Sequence, residues 1–266
     1  MAVWNFDLHG KKPKLSNPVM IEGLPGIGNV GKVAVDFIIE EMKATMLYDI
    51  TSYSFPHSVF VNEENVAELP SVRVYYKKFS NKNKRDIVFI AGDVQPVNED
   101  DSYEFSDKML DIAKELGVKE IITLGGIGLP DVPKSPKVYC TGNSKKAIDN
   151  YKDAKVITEL YGVVGPIIGV SGLMVGLAAR RKIDAVALLA ETYGHPIYLG
   201  INGASEIVSV LNAKLGLGIK IEKMDKEIKE MEKEILKRTE ELSEVSKQTA
   251  LKKLKGKMRT ETSYIG

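Results

Sequence analysis

The stretch VMIEGLPGIGNVGKVAVDFII, residues 19–39, decides how the rest of the chain is read. An apolar run, PVMIE at 18–22, enters a glycine-rich turn, and a helix-spaced apolar segment follows. The run reads as a buried strand. Residues 29–43 read as a helix, with Val30, Ala34, Phe37 and Ile38 on its buried face. The turn carries Gly26, Gly28 and Gly31 in the order G-x-G-x-x-G, which in a dinucleotide-binding unit brings a pyrophosphate to a helix N-terminus. Two features speak against that use. In such a unit the strand runs almost directly into the first glycine, whereas Gly23-Leu24-Pro25 intervene here. Asp49 stands about where a ribose-binding acid would fall, but the segment after it reads as hairpins rather than a second crossover helix. The turn is therefore expected to be structural, its glycines letting backbones approach closely.

Working outward, residues 46–50 (MLYDI) read as the next strand, and 58–61, 66–69 and 71–76 as short β runs joined like hairpins. DIVFIAGD at 86–93 is a strongly apolar strand. A helix follows over 102–116, with Phe105, Met109, Ile112 and Leu116 on one face. Asp101 and Glu104 form a capping-box-like start and Gly117 a stop. EIITLGG at 120–126 and DAVALLAET at 184–192 are further strands, and 203–215 a further helix, apolar at Ile207, Val208, Leu211 and Leu215. Strands alternating with helices predict an α/β fold with a mainly parallel sheet covered by helices on both faces. TLGGIGLPDVP at 123–133 reads as a second glycine turn at a strand end. Ligands of open α/β sheets bind at such ends, so a pocket near Gly125, Gly126 and Gly128 stays open as a reading. However, Lys134 and Lys137 are the nearest basic residues, and a structural turn is favoured. The uncharged segment 161–179 holds five glycines and Pro166, so it reads as a buried loop and a core helix rather than a membrane span.

The balance of 37 Lys and Arg against 36 Asp and Glu leaves a net charge of +1, which announces neither a nucleic-acid surface nor an acidic partner. One cysteine, Cys140, excludes an internal disulfide and fits a reducing, cytoplasmic setting. No basic-then-apolar leader opens the chain, since Trp4, Asp7 and His9 interrupt it. Asp93, Glu99, Asp100, Asp101 and Glu104 cluster in 92–104, but their spacing matches no EF-hand, and capping accounts for two of them; no metal is expected. GVSGL around Ser171 lacks the final glycine of a nucleophile elbow. Glu191 and His195 could meet at a strand end, yet a structural histidine is favoured. No catalytic residue and no cofactor is assigned.

Beyond Gly218 the composition shifts. Ile221, Met224, Ile228, Met231, Ile235, Leu242 and Val245 fall on a 3-4 ladder whose missing rung is Arg238, with Lys and Glu between. That is a heptad pattern, roughly 45 Å of helix, and it favours a partner helix. The expected organisation is a core over 1–218, a coiled-coil helix over 219–255 and a flexible polar tail over 256–266 whose end is apolar and aromatic.

Taken together, EGLPGIGNVGKVAVDFII, GDVQP with YEFSDKMLDIAKELGVKEIITLGGIG, GPIIGVSGLMVGLA, and LLAETYGHPI with GASEIVSVL resemble the PAC2 family, the archaeal relatives of proteasome assembly chaperones, over about residues 15–216. The resemblance implies a nucleoside-phosphorylase-like shape without established catalysis, self-association, and binding to the 20S proteasome. Members with a long helix and a tail are similar to ATP-independent proteasome activators, whose hydrophobic-Tyr-any terminus docks between adjacent α-subunits. Here the last residues are Tyr264-Ile265-Gly266. Ile265 takes the aromatic slot, Tyr264 the hydrophobic one, and the carboxylate of Gly266 remains to pair with a basic group. The phenol is one residue out of place, which bears on gate opening more than on binding. The reading from another class is a phosphorylase-like or nucleotide-binding enzyme using the glycine loops. No G-x-x-x-x-G-K-[ST] loop is present.

Overall fold

The computed structural model describes residues 3–221 except 63, 82, 161–164 and 196–197. In chain order its elements are β1 (Trp4–Leu8), β2 (Val19–Gly23), α1 (Val30–Met42), β3 (Thr45–Ser52), β4 (Phe60–Val61), β5 (Ala67–Glu68), β6 (Val72–Lys77), β7 (Ile87–Gly92), α2 (Glu99–Glu115), β8 (Glu120–Leu129), β9 (Val138–Gly142), α3 (Lys145–Asp149), α4 (Val170–Arg180), β10 (Asp184–Tyr193) and α5 (Ile201–Leu215). Eight strands form one sheet in the order β1-β3-β6-β7-β2-β8-β10-β9, and β4 and β5 pair apart from it.

The sheet is mixed. β7, β2, β8 and β10 run parallel, and the flanks β1-β3-β6-β7 and β10-β9 are antiparallel. The expected mainly parallel order is thus confined to the centre. The cause lies in the connections. The segment between β6 and β7 is too short for a crossover helix, and the longer one between β3 and β6 is taken up by the β4–β5 pair instead of a helix, so the chain doubles back at both. β1, β9 and α3 carry weak periodicity and escape a reading by pattern alone.

Central strands buried on both faces read as unbroken apolar runs, and β2 and β7 are buried throughout. Alternate residues supply two cores. Met20, Val88, Ile90, Ile121, Ala187 and Leu189 face α2 and α4, and those two helices pack on each other, as α1 and α5 do on the other side. The covering of both faces is as expected. On α1 the buried face is Val30, Ala34, Val35 and Ile38, with Phe37 only half-buried. α2 starts a turn earlier than Asp101 and Glu104 suggest. Asn98 precedes it and its Nδ2 donates to Asp101 Oδ2 at 3.2 Å. Glu99, Asp100 and Asp101 then occupy the first turn, where the helix dipole favours acids. Gly117, at φ +74°, ends it. Trp4 on β1 packs at 5.6 Å on Phe55 and 5.3 Å on Phe105, pinning the outer strand to α2. The core packing runs on to Leu217 and Ile219, where Asn212 Oδ1 accepts from the N–H groups of Gly218 and Ile219. The expected coiled coil and tail lie outside the described residues, apart from Ile219 to Ile221.

Candidate functional site

The parallel centre sets its carboxyl ends side by side. There the chain leaves β2 through Leu24 and Pro25, makes a short 3-10 turn at Ile27–Asn29 and enters α1. Gln95 ties this loop down: its Nε2 donates to the Pro25 carbonyl at 2.6 Å, and its Oε1 accepts from the Val170 N–H at 3.2 Å at the start of α4. Two glycines make the loop's seat. A Cβ on Gly31 would drive into the Leu124 carbonyl oxygen, and one on Gly126 into the Ile27 carbonyl oxygen. Of the fingerprint glycines, Gly31 serves close packing of the helix on β8, as expected, and Gly28 sits at φ +60° against Thr192 of β10, whereas a Cβ on Gly26 would meet nothing within 4 Å.

The second glycine run is not a turn. Gly125, Gly126 and Gly128 lie within β8, paired in register with Leu189, Ala190 and Thr192 of β10. Gly126 and Gly128 let the Ile27 loop lie across the strand, whereas a Cβ on Gly125 would meet only the end of the Leu189 side chain. Nor are residues 165–169, which lead into α4, buried, since Ile168 is 88 % exposed.

Between these parts lies a cleft of about 550 Å³, lined by Leu24, Ile27, Gln95, Gly125, Ile167 and Ser171 among others. That size suits a small molecule. No charged side chain lines it among the described residues. Beneath it sits Glu22, fully buried. Its Oε1 accepts from the Leu24 N–H at 3.1 Å; its Oε2 makes no hydrogen bond of good geometry, the Ser171 hydroxyl lying close enough to favour the charge without completing one. Burial pushes its carboxyl up to about 7, offset in part by the Ser171 hydroxyl and the Leu24 N–H. The contrast with Asp86 is instructive: that buried acid accepts from Ser16 N–H at 2.7 Å and from Phe79 N–H at 2.8 Å. Glu22 went unremarked in the sequence reading. Its signal was a lone acid inside an apolar strand.

The other singled-out residues do not gather there. Asp49 on β3 pairs with Arg73 at 3.5 Å, on the antiparallel flank. Asp93 lies 3.8 Å from the same arginine. Glu191 accepts from the Tyr139 hydroxyl at 2.9 Å and the Lys137 N–H at 3.0 Å, while His195 stacks on Tyr193 at 5.6 Å between ring centres. Ser171 occupies the first turn of α4. At the opposite end of the sheet Arg85 pairs with Glu120, which also accepts from the Tyr151 hydroxyl at 2.7 Å. Burial, with that carboxylate, raises the Tyr151 phenol, and burial pushes the Cys140 thiol up to about 12. Among the described residues no group of three His, Cys, Asp or Glu is placed to hold a metal, and no helix is long and apolar enough to cross a membrane. Tyr264, Ile265 and Gly266 lie outside the described residues.

The fold and site define a class: a mixed α/β layer with a small sheet-end cleft and an acid beneath it. The chain belongs to the PAC2 family, whose model matches residues 20–238. Among solved structures it is similar to Pyrococcus furiosus PbaB, described as an archaeal proteasome activator, with 32 % identity, a TM-score of 0.81, and coverage of 89 % of this chain and 98 % of that one. Pyrococcus furiosus PbaA, described as an archaeal homolog of proteasome-assembly chaperone, follows at 26 % identity and a TM-score of 0.72, covering 98 % and 99 %. The Methanocaldococcus jannaschii protein MJ1210 is 28 % identical over 223 residues, 84 % of this chain and 83 % of that one.

Proposed function

We propose that this protein is a non-enzymatic partner of the 20S proteasome, a chaperone-like factor that binds the α-ring and acts on it without ATP. The likeness to PbaB across nearly the whole length of both chains carries the reading. The core self-associates, the heptad segment of 219–255 forms a coiled coil between or beside subunits, and the tail meets adjacent α-subunits. Contact is made by Tyr264, Ile265 and the Gly266 carboxylate. Each tail is a weak ligand, and repetition around an oligomer multiplies the weak contacts into firm attachment. No nucleotide motor is invoked, so any effect on the ring is driven by binding.

The test is co-elution of the purified full-length chain with purified 20S particles, beside a variant lacking residues 264–266. The shortened chain is expected to keep its own oligomeric mass and to lose the ring. Co-elution of both chains sinks the tail's role. The rival reading, a phosphorylase-like or nucleotide-binding enzyme, draws support from the sheet-end cleft, although that cleft carries no basic side chain to neutralise phosphate among the described residues. Melting curves with nucleosides, phosphate and NAD decide it, because a ligand of the folded state raises Tm by mass action.

A further inference from the structure

Among the described residues thirteen large apolar side chains are exposed, and seven of them crowd one corner. Val3, Tyr53, Val59 and Leu69 line a hollow of about 640 Å³ beside β1 and the end of β3. Phe60, Val61 and Val66 belong to the adjoining β4–β5 hairpin. Its strands are two residues long, and all four paired residues are exposed, Phe60 opposite Glu68 and Val61 opposite Ala67. A two-stranded pair is marginal in water by itself. Yet its turn is firmly knit. The Asn62 N–H donates to the Val66 carbonyl at 3.0 Å, and Asn62 Oδ1 accepts from the N–H groups of Glu64 and Val66 at 3.0 and 2.9 Å. The chain thus holds in shape an apolar projection that its own described residues leave bare.

The area is what an interface needs. Single exposed apolar residues are ordinary, and the largest apolar patch on a typical monomer covers about 300–600 Å². These seven, exposed by 46 to 91 %, present roughly 800 Å², about one partner's share of a standard interface. β1 is also the last strand of the sheet on this side, and an open edge is a liability that proteins cover.

The chemistry selects the occupant. A lipid surface calls for cations around an apolar face, and no lysine or arginine lines the hollow among the described residues. No aspartate or glutamate lines it either, so a second copy meets no repulsion at the centre, while Glu64 and Glu68 stay on the hairpin. Hollow and projection stand side by side, and a two-fold axis sets each copy's projection against the other's hollow, every contact being made twice. Tyr53, at 91 % the most exposed of the seven, is of the residue type that anchors interfaces. We propose that this corner is where two copies of the chain join, hairpin against hollow, with Tyr53 at the centre. The assignment rests on the self-association proposed above and asks nothing of the tail or the ring.

The experiment is sedimentation equilibrium of the full-length chain at micromolar concentration, with Val61→Glu, Leu69→Glu and, as a control, Val132→Glu. Val61 and Leu69 are mostly exposed, so their replacement leaves the core untouched. Val132 is exposed too, but it lies between β8 and β9, toward the other end of the sheet. Wild type and control are expected to share one oligomeric mass. Each corner variant is expected to weaken the association about thirtyfold or more and to run at a lower mass. A cysteine at Val61, joined across copies by a short bismaleimide, is expected to give covalent dimers, since native Cys140 is buried. Unchanged mass in both corner variants overturns the assignment, as does a wild-type chain that sediments as a monomer, which would leave a foreign protein as the occupant. Co-elution with 20S particles is read separately: its loss from wild type at unchanged mass counts against the proteasome reading and not against this surface.

Discussion

Replacing Glu22 by Gln should make the protein more stable relative to wild type as the pH rises. The magnitude follows from the acid's surroundings. Its carboxyl has an ordinary value of 4.5 and is held at about 7 by burial. Below 4.5 the side chain is protonated whether the chain is folded or not, and its titration costs nothing. Between 4.5 and 7 the unfolded chain releases a proton that the folded chain retains, so stability falls with rising pH. Above 7 the loss is complete. At about 1.4 kcal/mol per pH unit, the whole interval amounts to roughly 3 kcal/mol. Glutamine does not titrate, and its carbonyl can still accept from the Leu24 N–H, so the variant escapes this loss. Parallel urea unfolding of the two proteins from pH 4.5 to pH 8 isolates the difference, because every other titrating group is common to both. The variant is expected to gain roughly 3 kcal/mol on wild type over that range, most steeply between pH 5 and pH 7. A difference that stays flat, or that falls as the pH rises, refutes the picture of an uncompensated buried acid.

Gly31→Ala should cost about 3 kcal/mol, because the added methyl meets backbone of β8 that cannot turn aside; thermal unfolding reads it, and a near-neutral result removes the packing role given to that glycine. Phe105→Ala should cost about 3–5 kcal/mol and change the emission of the chain's single tryptophan, since Trp4 packs against that ring. Cys140, fully buried with its thiol held near 12, should react with iodoacetamide at pH 8 only after unfolding. Prompt labelling of the native chain would contradict its placement in the core.

The fold's centre was plain in the residues because its strands are buried on both faces. Val19–Ile21 and Ile87–Ala91 leave no polar face to confuse the period. The flanks were harder. β1 alternates only weakly, with Leu8 exposed and Trp4 and Phe6 half-covered, and nothing local announces that it will lie against β3. The glycines of β8 misled for a physical reason. Gly125, Gly126 and Gly128 look like a bend because bends favour glycine, whereas here Gly126 and Gly128 make room for a loop crossing above. Glu22 was legible only as an anomaly. A charge at the fourth place of an apolar run can mark a strand end, and the chain does turn two residues later; that the carboxyl is nonetheless sealed beneath the loop depends on neighbouring Leu24 and on Thr123 and Ser171, which come from two distant places in the sequence.

The order of the central strands bears on how the chain comes to be made. Val19 pairs with Ile87 on one side and with Glu120 on the other, and Glu120 pairs in turn with Asp184. Every neighbour in the parallel centre is more than sixty residues away along the chain. During synthesis the innermost strand emerges first and waits, its apolar faces uncovered, until two later segments leave the ribosome. Contacts so remote slow the search for the native state. A protein built this way has a long vulnerable interval of its own at birth, during which its own middle is what most needs sheltering.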